Sequence, residues 1–361
     1  MSEISEKVRS LTLRQFTAFE EAAFEFSPGI NVLMGANSTG KTHVMKVVYA
    51  VLRECGYQHR EKLFTPEADI LFPPIFRLDS ARELIRSAHL PQEAKAEISL
   101  AYGNTEIRLS IRKEGLGGHI GGKAFSHPPA LLYLPSHEFL SISQGFIAAY
   151  EKRELPYDST YYHLALALNA LPLRKEKIAG IREPLEFLHR IIIGKNAEIG
   201  DAVTQNDGRF YFHLPEGKLD ASIVSEGYRK IATLYYLLRN GSLAENSVLL
   251  WDEPEANLNP QLIVKIAKVL RMLALSGIQI FVATHDYLLS HELSLLAEYP
   301  SDNPANIRFF ALNRSDRASG VSVESGQTLA EISHNPILEE FAAHYDRESE
   351  LFHSSETTGQ V

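Results

Sequence analysis

The hydrophobic positions of the chain follow two patterns that predict two kinds of strand. Three short segments are apolar almost without interruption, as is typical of strands buried on both faces of a parallel sheet. They are Gly29–Met34, Val248–Trp251 and Ile278–Ala283. Apolar and polar residues instead alternate from Ile98 to Ile111 around Gly103-Asn104, which predicts an antiparallel hairpin. The chain is therefore expected to be an α/β protein with a mixed sheet and an antiparallel β subdomain.

Helical spacing of apolar residues appears in two regions. Valine and leucine recur every three or four residues from Val44 to Leu52, directly after the first buried strand. Between about Phe139 and Gly194, prolines interrupt several helical segments, of which Tyr161–Leu171 and Leu185–Ile193 are the clearest. No run of three or more heptads is present, so a compact helical insertion is expected and no long coiled coil. The insertion is either a plain lid over the core or a surface that binds a partner.

These patterns divide the chain into four parts. Residues 1–134 are expected to form a first lobe with β hairpins, and residues 135–210 the helical insertion. Residues 211–345 form a second lobe, and residues 346–361 a polar, disordered tail. The glycine-rich stretch Gly115–Gly122 lacks the strand-to-helix context of a phosphate loop, so a mobile hairpin tip is expected there.

The segment after the first buried strand carries a phosphate-binding loop. It reads GANSTGKT and fits the pattern G-x-x-x-x-G-K-[ST] between a strand and a helix. Its residues are Gly35, Ala36, Asn37, Ser38, Thr39, Gly40, Lys41 and Thr42. Backbone N–H groups of such a loop hold phosphates, the lysine reaches the β/γ-phosphates, and the hydroxyl ligates Mg²⁺. The segment therefore predicts a nucleoside triphosphate site.

Two adjacent carboxylates, Asp252 and Glu253, end the second buried strand. The carboxyl ends of parallel strands are where open α/β sheets bind ligands, and two carboxylates buried together require a cation or a proton. Asp252 is expected to complete the Mg²⁺ site with Thr42. Glu253 is then free to orient or deprotonate an attacking water.

A second anion-binding helix start is predicted at Ser225, Glu226 and Gly227, since Ser225 is a good N-cap before a helical stripe. Because the P-loop already binds phosphates, this end is available for the nucleotide of another subunit. His285 follows the third buried strand at the same sheet edge. Its imidazole either contacts the γ-phosphate or the attacking water, or it is a structural histidine that only makes hydrogen bonds within the fold.

In this order the motifs resemble the ABC-type ATPases, and most closely their soluble RecF/SMC/OLD-like branch, which includes ATPase subunits of bacterial defence systems. The matching segments are DEPEANLNP, followed by ATHD, and Ser225-Glu226-Gly227 as a degenerate signature. The resemblance implies an ABC-type head and a head-to-tail homodimer with two ATP molecules between each P-loop and the opposite signature. It also implies that Asn257 lies in the D-loop and that His285 is the switch histidine.

The chain departs from the family pattern at two places. The signature has an acid, Glu226, where glycine is usual. The strand Ala130–Leu134 is followed by Glu138 and not by the usual Q-loop glutamine, with a glutamine only at Gln144. Glu138 is therefore a candidate for the Q-loop position and a further candidate metal ligand.

Charge and composition limit the kinds of partner and the location that are expected for the chain. The 361 residues carry a net charge of −9, and the segment from Glu339 to Val361 has six acids against Arg347. Neither this segment nor the body has the basic surface of a dedicated duplex-DNA binder, although a local patch leaves nucleic acid possible. A single cysteine, Cys55, leaves no disulfide framework. No apolar stretch of about 18 residues predicts a membrane span, so a cytoplasmic location is expected.

The leading hypothesis is a Mg²⁺-dependent ATPase that acts as the switch subunit of an anti-phage defence system. No fused TOPRIM domain is expected in the chain, so the nuclease or toxin effector would be a separate protein. Two alternatives stay open. One is a slowly hydrolysing scaffold or antitoxin-like module that holds an effector, and the other is a RecF-like DNA-repair ATPase, which the acidic charge disfavours.

Overall fold

The computed structural model describes most of the chain. It covers residues 6–56, 71–86, 95–112, 115–121, 130–173, 180–194, 201–300, 303–314, 316 and 319–357. Within these ranges the chain forms two large sheets, a small three-stranded sheet and helices around them.

A six-stranded sheet forms the centre of the molecule, in the order β14-β13-β3-β12-β11-β7. Its strands are β3 (Ile30–Gly35), β7 (Leu131–Leu134), β11 (Val248–Asp252), β12 (Gln279–Thr284), β13 (Ile307–Asn313) and β14 (Ser322–Gly326). All neighbours are parallel except β13 and β14. The three uninterrupted apolar segments become β3, β11 and β12, and every residue of these strands is buried. The predicted mixed sheet is confirmed.

A five-stranded antiparallel sheet packs beside the central sheet, in the order β2-β1-β4-β5-β6. Its strands are β1 (Val8–Phe16), β2 (Phe19–Glu25), β4 (Ala96–Tyr102), β5 (Thr105–Arg112) and β6 (Gly115–Gly121). The hairpin predicted around Gly103-Asn104 is β4–β5. The prediction of a mobile tip at Gly115–Gly122 is wrong, because residues 115–121 pair along their length with β5.

Two hydrophobic cores lie on opposite faces of the central sheet. Alternate residues of each strand point to opposite faces, so Val32 and Ile280 join one core while Leu33 and Phe281 join the other. Helix α1 (Lys41–Gly56) packs into the second core with the antiparallel sheet. This packing holds the start of α1, and thus the phosphate loop, against the ends of β3 and β12.

The first core is covered by helices. They are α3 (Phe146–Glu151), α4 (Ser159–Leu168), α5 (Arg182–Ile193), α6 (Glu226–Arg239), α7 (Pro260–Leu275) and α8 (Tyr287–Glu298). A three-stranded antiparallel sheet joins them through β8 (Val203–Asn206), β9 (Arg209–Leu214) and β10 (Gly217–Asp220). Helices occur within the predicted insertion, but its boundary after residue 210 falls inside β9. The strands start earlier because Val203 already pairs with Phe212.

Two further helices complete the structure, α2 (Pro73–Phe76) and α9 (Pro336–Thr357). The prediction of a disordered tail from residue 346 is wrong, since α9 continues to Thr357. No proline or further glycine breaks the sequence between Pro336 and Gly359, and Arg347 pairs with Glu340 at 2.9 Å along the helix. In the described residues, no helix has the length and apolar character of a membrane span.

Candidate functional site: a P-loop and two carboxylates at one sheet edge

The phosphate loop connects β3 to α1 in the geometry that its glycines require. Gly40 has a φ of 95°, and a Cβ there would lie 2.8 Å from the ring of Phe19. Ser38 also adopts a positive φ, 65°. The loop thus turns tightly enough for its N–H groups and the start of α1 to face one point, which is the arrangement that binds phosphate.

Lys41 sits at this turn with its ammonium over the loop. Its Nζ donates to the carbonyl oxygens of Gly35 at 2.7 Å and Ala36 at 2.9 Å. Burial lowers the pKa of Lys41, and the nearby carboxylates of Glu253 and Asp252 oppose that shift. The side chain is therefore buried against the loop, and its contact with the β/γ-phosphates stays a prediction.

Thr42 and Asp252 meet across the sheet edge. The Thr42 hydroxyl lies 3.2 and 3.0 Å from the two carboxylate oxygens of Asp252. Tyr133 of β7 donates to the same carboxylate at 3.2 Å. Burial raises the pKa of Asp252, against the stabilising hydrogen bonds from Thr42 and Tyr133. Thr42 and Asp252, two of the three predicted metal ligands, are thus in contact, and Tyr133 is a neighbour that the sequence motifs do not reveal.

Glu253 lies next to the histidine that ends β12. Its Oε1 is 3.3 Å from Nδ1 of His285, whose side chain is 50% exposed. The backbone of Glu253 has a φ of 47° and donates its N–H to the Ala283 carbonyl at 2.9 Å. A positive φ at a non-glycine residue is costly and persists only where the surroundings enforce it. The fold therefore holds Glu253 in a strained backbone conformation, with its carboxylate beside His285.

Helix α6, which starts at the predicted signature, contacts the backbone of the same residue, Glu253. Lys230 is 4% exposed, and its Nζ donates to the carbonyl oxygen of Glu253 at 3.2 Å. Burial lowers the pKa of Lys230, while the charges of Glu226, Glu255, Glu253 and Asp252 raise it. Sequence motifs gave no sign of this contact, because lysines near a helix start are usually solvent-exposed.

Ser225 precedes α6 as predicted, and the structure leaves it exposed at the helix start. Its side chain makes no capping hydrogen bond. Gly227 is buried against the next loop, where a Cβ would lie 2.9 Å from the Leu258 side chain and 3.0 Å from the Asn257 carbonyl oxygen. Asn257 itself has a φ of 63°. The signature and the predicted D-loop are therefore in contact within one subunit.

Glu138, the candidate Q-loop residue and metal ligand, is paired with helix α6. Its carboxylate pairs with Arg229 of α6 at 2.9 Å, and the two side chains are 7% and 14% exposed. It also accepts a hydrogen bond from Ser141. The guanidinium thus neutralises the Glu138 carboxylate, and the role of Glu138 at the Q-loop position or as a metal ligand stays a prediction. Gln144 accepts a bond from Arg209 at 2.7 Å near β9.

Two residues behind His285 were also missed. Thr284 donates its hydroxyl to Oε1 of Glu255 at 2.7 Å, and both residues are buried. Burial raises the pKa of Glu255. Glu255 is visible in the sequence as the third acid of DEPE, but only the pairing of β11 with β12 brings it to within 4.0 Å of the histidine ring.

The fold and site define the chain as a P-loop ATPase of the ABC type. The phosphate loop, the Asp252-Glu253 pair and His285 lie at the carboxyl edge of β3, β11 and β12, as the class requires. The chain belongs to the family described as "AAA domain, putative AbiEii toxin, Type IV TA system", whose model matches residues 30–290.

Solved structures with the same fold include two SMC heads. One is the SMC head bound to the C-winged helix domain of ScpA, with a TM-score of 0.51 and 15% identity over 90% of this chain and 98% of that chain. The other is the SMC head with an extended coiled coil bound to the C-terminal domain of ScpA derived from Pyrococcus furiosus. Its TM-score is 0.50, and it is 14% identical over 93% of this chain and 99% of that chain. At these identities the likeness shows a shared fold alone.

Among curated proteins, the chain resembles short segments of the DNA replication and repair protein RecF. It is 33% identical to RecF of Salinibacter ruber over 93 residues, 25% of this chain and 23% of that protein. It is 38% identical to RecF of Desulforamulus reducens over 52 residues, 14% of each chain. The chain thus spans less than a quarter of the length of these two relatives.

The raised pKa of Asp252 predicts that Asp252→Asn stabilises the nucleotide-free protein at neutral pH. A carboxyl group whose pKa is higher in the folded than in the unfolded chain favours folding while protonated, and this advantage is lost as the pH rises through the folded-state pKa. The variant should therefore unfold at a higher temperature than wild type at pH 7.5. The difference should shrink as the pH is lowered toward 3.8, the ordinary value for aspartate.

Thermal unfolding followed by circular dichroism across this pH range measures the effect. Asp346→Asn on the exposed surface of α9 is the control and should match wild type. A nucleotide-free Asp252→Asn protein that is less stable than wild type at pH 7.5 would contradict the assignment of Asp252 as an unfavourably buried charge.

Proposed function

We propose that the chain hydrolyses ATP as a head-to-tail homodimer in which each nucleotide lies between one P-loop and the signature of the other subunit. The observation that carries this proposal is the exposed, uncapped Ser225 at the start of α6. This helix end can bind an anion, yet its contacts within the subunit run to Asn257 and Leu258. Because the chain already has a complete P-loop for its own nucleotide, this second helix end is suited to bind the nucleotide held by the opposite subunit.

Thr42 and Asp252 are the residues that would hold Mg²⁺. Both offer hard oxygen ligands, and their mutual contact across a buried edge suits a small cation. Mg²⁺ is commonly bound by one or two protein groups while phosphate oxygens and waters complete its octahedron. In the described part of the chain, no group of three or more His, Cys, Asp or Glu side chains forms a separate metal cluster. A bound Mg²⁺ would neutralise charge on the β- and γ-phosphates.

The remaining residues have separate roles in ATP hydrolysis. Lys41 contacts the β/γ-phosphates, and backbone N–H groups of residues 35–42 hold their oxygens. Glu253 accepts a hydrogen bond from the attacking water and takes its proton. His285 lies 3.3 Å from Glu253, and in this proposal its imidazole also contacts the γ-phosphate and responds to that group.

We further propose that this ATPase is the switch subunit of a bacterial anti-phage defence system with a separate nuclease or toxin effector. The support is the family description, which names a toxin and a type IV toxin–antitoxin system. The RecF matches cover less than a quarter of those proteins, so they do not carry a role in DNA repair to this chain.

A slowly hydrolysing scaffold that restrains an effector is the second candidate, and Glu226 favours it. A negative charge in the first turn of α6 weakens the attraction of that helix end for a phosphate. Tight ATP binding with turnover near the uncatalysed background would favour the scaffold over the motor.

Complementation between two inactive variants tests the head-to-tail arrangement. Ser225→Arg should block hydrolysis while leaving ATP binding to its own P-loop intact, and Lys41→Ala should lose ATP binding. Mixed subunits form heterodimers with one intact composite site, so an equimolar mixture should recover about a quarter of wild-type turnover if pairing is random. Phosphate release measures the turnover, and each variant alone is the control. A mixture that stays as inactive as its components would contradict the composite site.

Glu253→Gln should bind ATP but hydrolyse it at least about a hundredfold more slowly, because the amide cannot accept the proton of the water. The ATP-bound dimer should then persist. Light scattering after size-exclusion chromatography with ATP and Mg²⁺ measures its mass. Glu298→Gln, which changes an exposed acid on α8, should behave as wild type. Glu253→Gln protein that remains monomeric under these conditions would disprove the ATP-dependent dimer.

The defence role predicts that ATP binding is needed for protection. Cells that carry the gene with its native neighbours should plate a panel of tailed phages less efficiently than cells without it. Lys41→Ala should abolish the difference, while Glu106→Gln on the exposed sheet should retain it. Equal plating by wild-type and Lys41→Ala cells, with wild-type cells still protected, would show that protection does not use this ATPase.

A further inference from the structure

Glu255 is a buried acid with no place yet in the proposed reaction. It follows Glu253 by two residues, is 6% exposed and has a carboxylate oxygen 4.0 Å from Nδ1 of His285. Burying a carboxylate is unfavourable unless its oxygens are matched by donors. Its contacts therefore indicate what the residue is for.

One carboxylate oxygen of Glu255 holds the end of β12. Oε1 accepts the Thr284 hydroxyl at 2.7 Å and lies 3.4 Å from the backbone nitrogen of His285. The same oxygen lies 4.0 Å from Nδ1 of His285, which is 3.3 Å from Glu253. Thr284 in turn accepts the backbone N–H of Asp286 at 3.0 Å. The carboxylate thus holds Thr284 directly and Asp286 through the Thr284 hydroxyl, so the residues on both sides of the histidine depend on it.

The second oxygen does not explain the burial of Glu255. Oε2 is buried and has no hydrogen-bond partner among the described residues. Burial raises the pKa of Glu255, and the hydrogen bond from Thr284 opposes this shift. A buried acid with an unmatched oxygen destabilises the fold, so stability alone does not account for an acid at this position.

The backbone of Glu255 directly precedes the predicted D-loop, Ala256–Asn259. Its carbonyl oxygen accepts the Leu258 N–H at 2.9 Å, and the carbonyl of Asn257 lies against Gly227 of the signature helix. Glu255 therefore joins two elements: its main chain shapes the loop beside the signature, and its side chain holds the strand end that carries His285.

We propose that Glu255 is a positioning residue for ATP hydrolysis, which holds the Thr284-His285 segment so that the His285 imidazole faces Glu253 and the γ-phosphate. This inference rests on the proposed roles of Glu253 and His285. Glu255 takes no proton from water and contacts no substrate. Its effect on turnover passes through the histidine.

Steady-state hydrolysis of ATP with Mg²⁺ by the full chain tests this role. Glu255→Ala should lower kcat by about ten- to a hundredfold with KM for ATP changed less than about threefold, because misplacement of a reacting group affects the chemical step. Glu255→Gln keeps an oxygen acceptor for Thr284 and should stay within about threefold of wild type. Thr284→Val should reproduce the loss, and Thr284→Ser, which keeps the hydroxyl, should restore turnover.

The decisive variant is Glu255→Ala combined with His285→Ala. If Glu255 acts through the histidine, the double variant should be no slower than His285→Ala alone, since residues that act as a unit are non-additive. Losses that multiply would disprove the proposal. Turnover of Glu255→Gln as low as that of Glu255→Ala would also disprove it, because it would show that the charge or proton of the acid is what matters.

Failure of this inference can be told apart from failure of the proposed function. If Glu253→Gln is inactive while Glu255→Ala matches wild type, only the positioning role fails. If wild type and Glu253→Gln have equal turnover, the proposed site is wrong and this inference falls with it. Thermal unfolding and binding of a fluorescent ATP analogue verify that each variant is folded, and Glu298→Ala is the control for loss of a hydroxyl-paired carboxylate outside the site.

Discussion

The buried carboxylate of Asp252 is the constraint on which the arrangement of the site depends. It ends a strand that is covered on both faces, so its charge must be met by groups from neighbouring elements. Thr42 supplies a hydroxyl from the start of α1, and Tyr133 supplies another from β7. Those bonds fix the P-loop helix and two strands relative to each other. The nucleotide-binding edge is therefore assembled around a charge that the nucleotide-free protein tolerates only at a cost.

The signature helix is attached to this edge by buried cations. Lys230 donates to the backbone of Glu253, and Arg229, one residue earlier, pairs with Glu138 after β7. One helix thus contacts both Glu253, the proposed catalytic residue, and the segment of Glu138, the predicted Q-loop position. Because both contacts are nearly dry, moving α6 would uncover unpaired charge. A phosphate that shifts the Ser225 end of α6 would consequently act on Glu253 in the same subunit.

Residue patterns predicted the parts of the structure that local physics determines. Uninterrupted apolar runs located β3, β11 and β12, and alternation located β4 and β5. The P-loop pattern fixed Lys41 and Thr42, because its mechanism needs those residues at that spacing. Predictions were wrong where pairing at a distance decides: Gly115–Gly121 becomes a strand only because β5 offers its edge. Likewise, Lys230 and Glu255 enter the site through register and helix packing, which no local pattern records.

The loop from Glu253 to Asn257 shows why such distant contacts matter for function. Both end residues have positive φ, 47° and 63°, and neither is glycine, so the conformation carries strain. The start of the loop is held by the Ala283 carbonyl, Lys230 and Glu255. The end of the loop, at Asn257, packs closely against Gly227, where any larger residue would clash. The strain is therefore met by the fold of one subunit before any partner arrives. In a head-to-tail dimer this loop would need little reordering, and the energy of association remains available to act on His285 and Glu253.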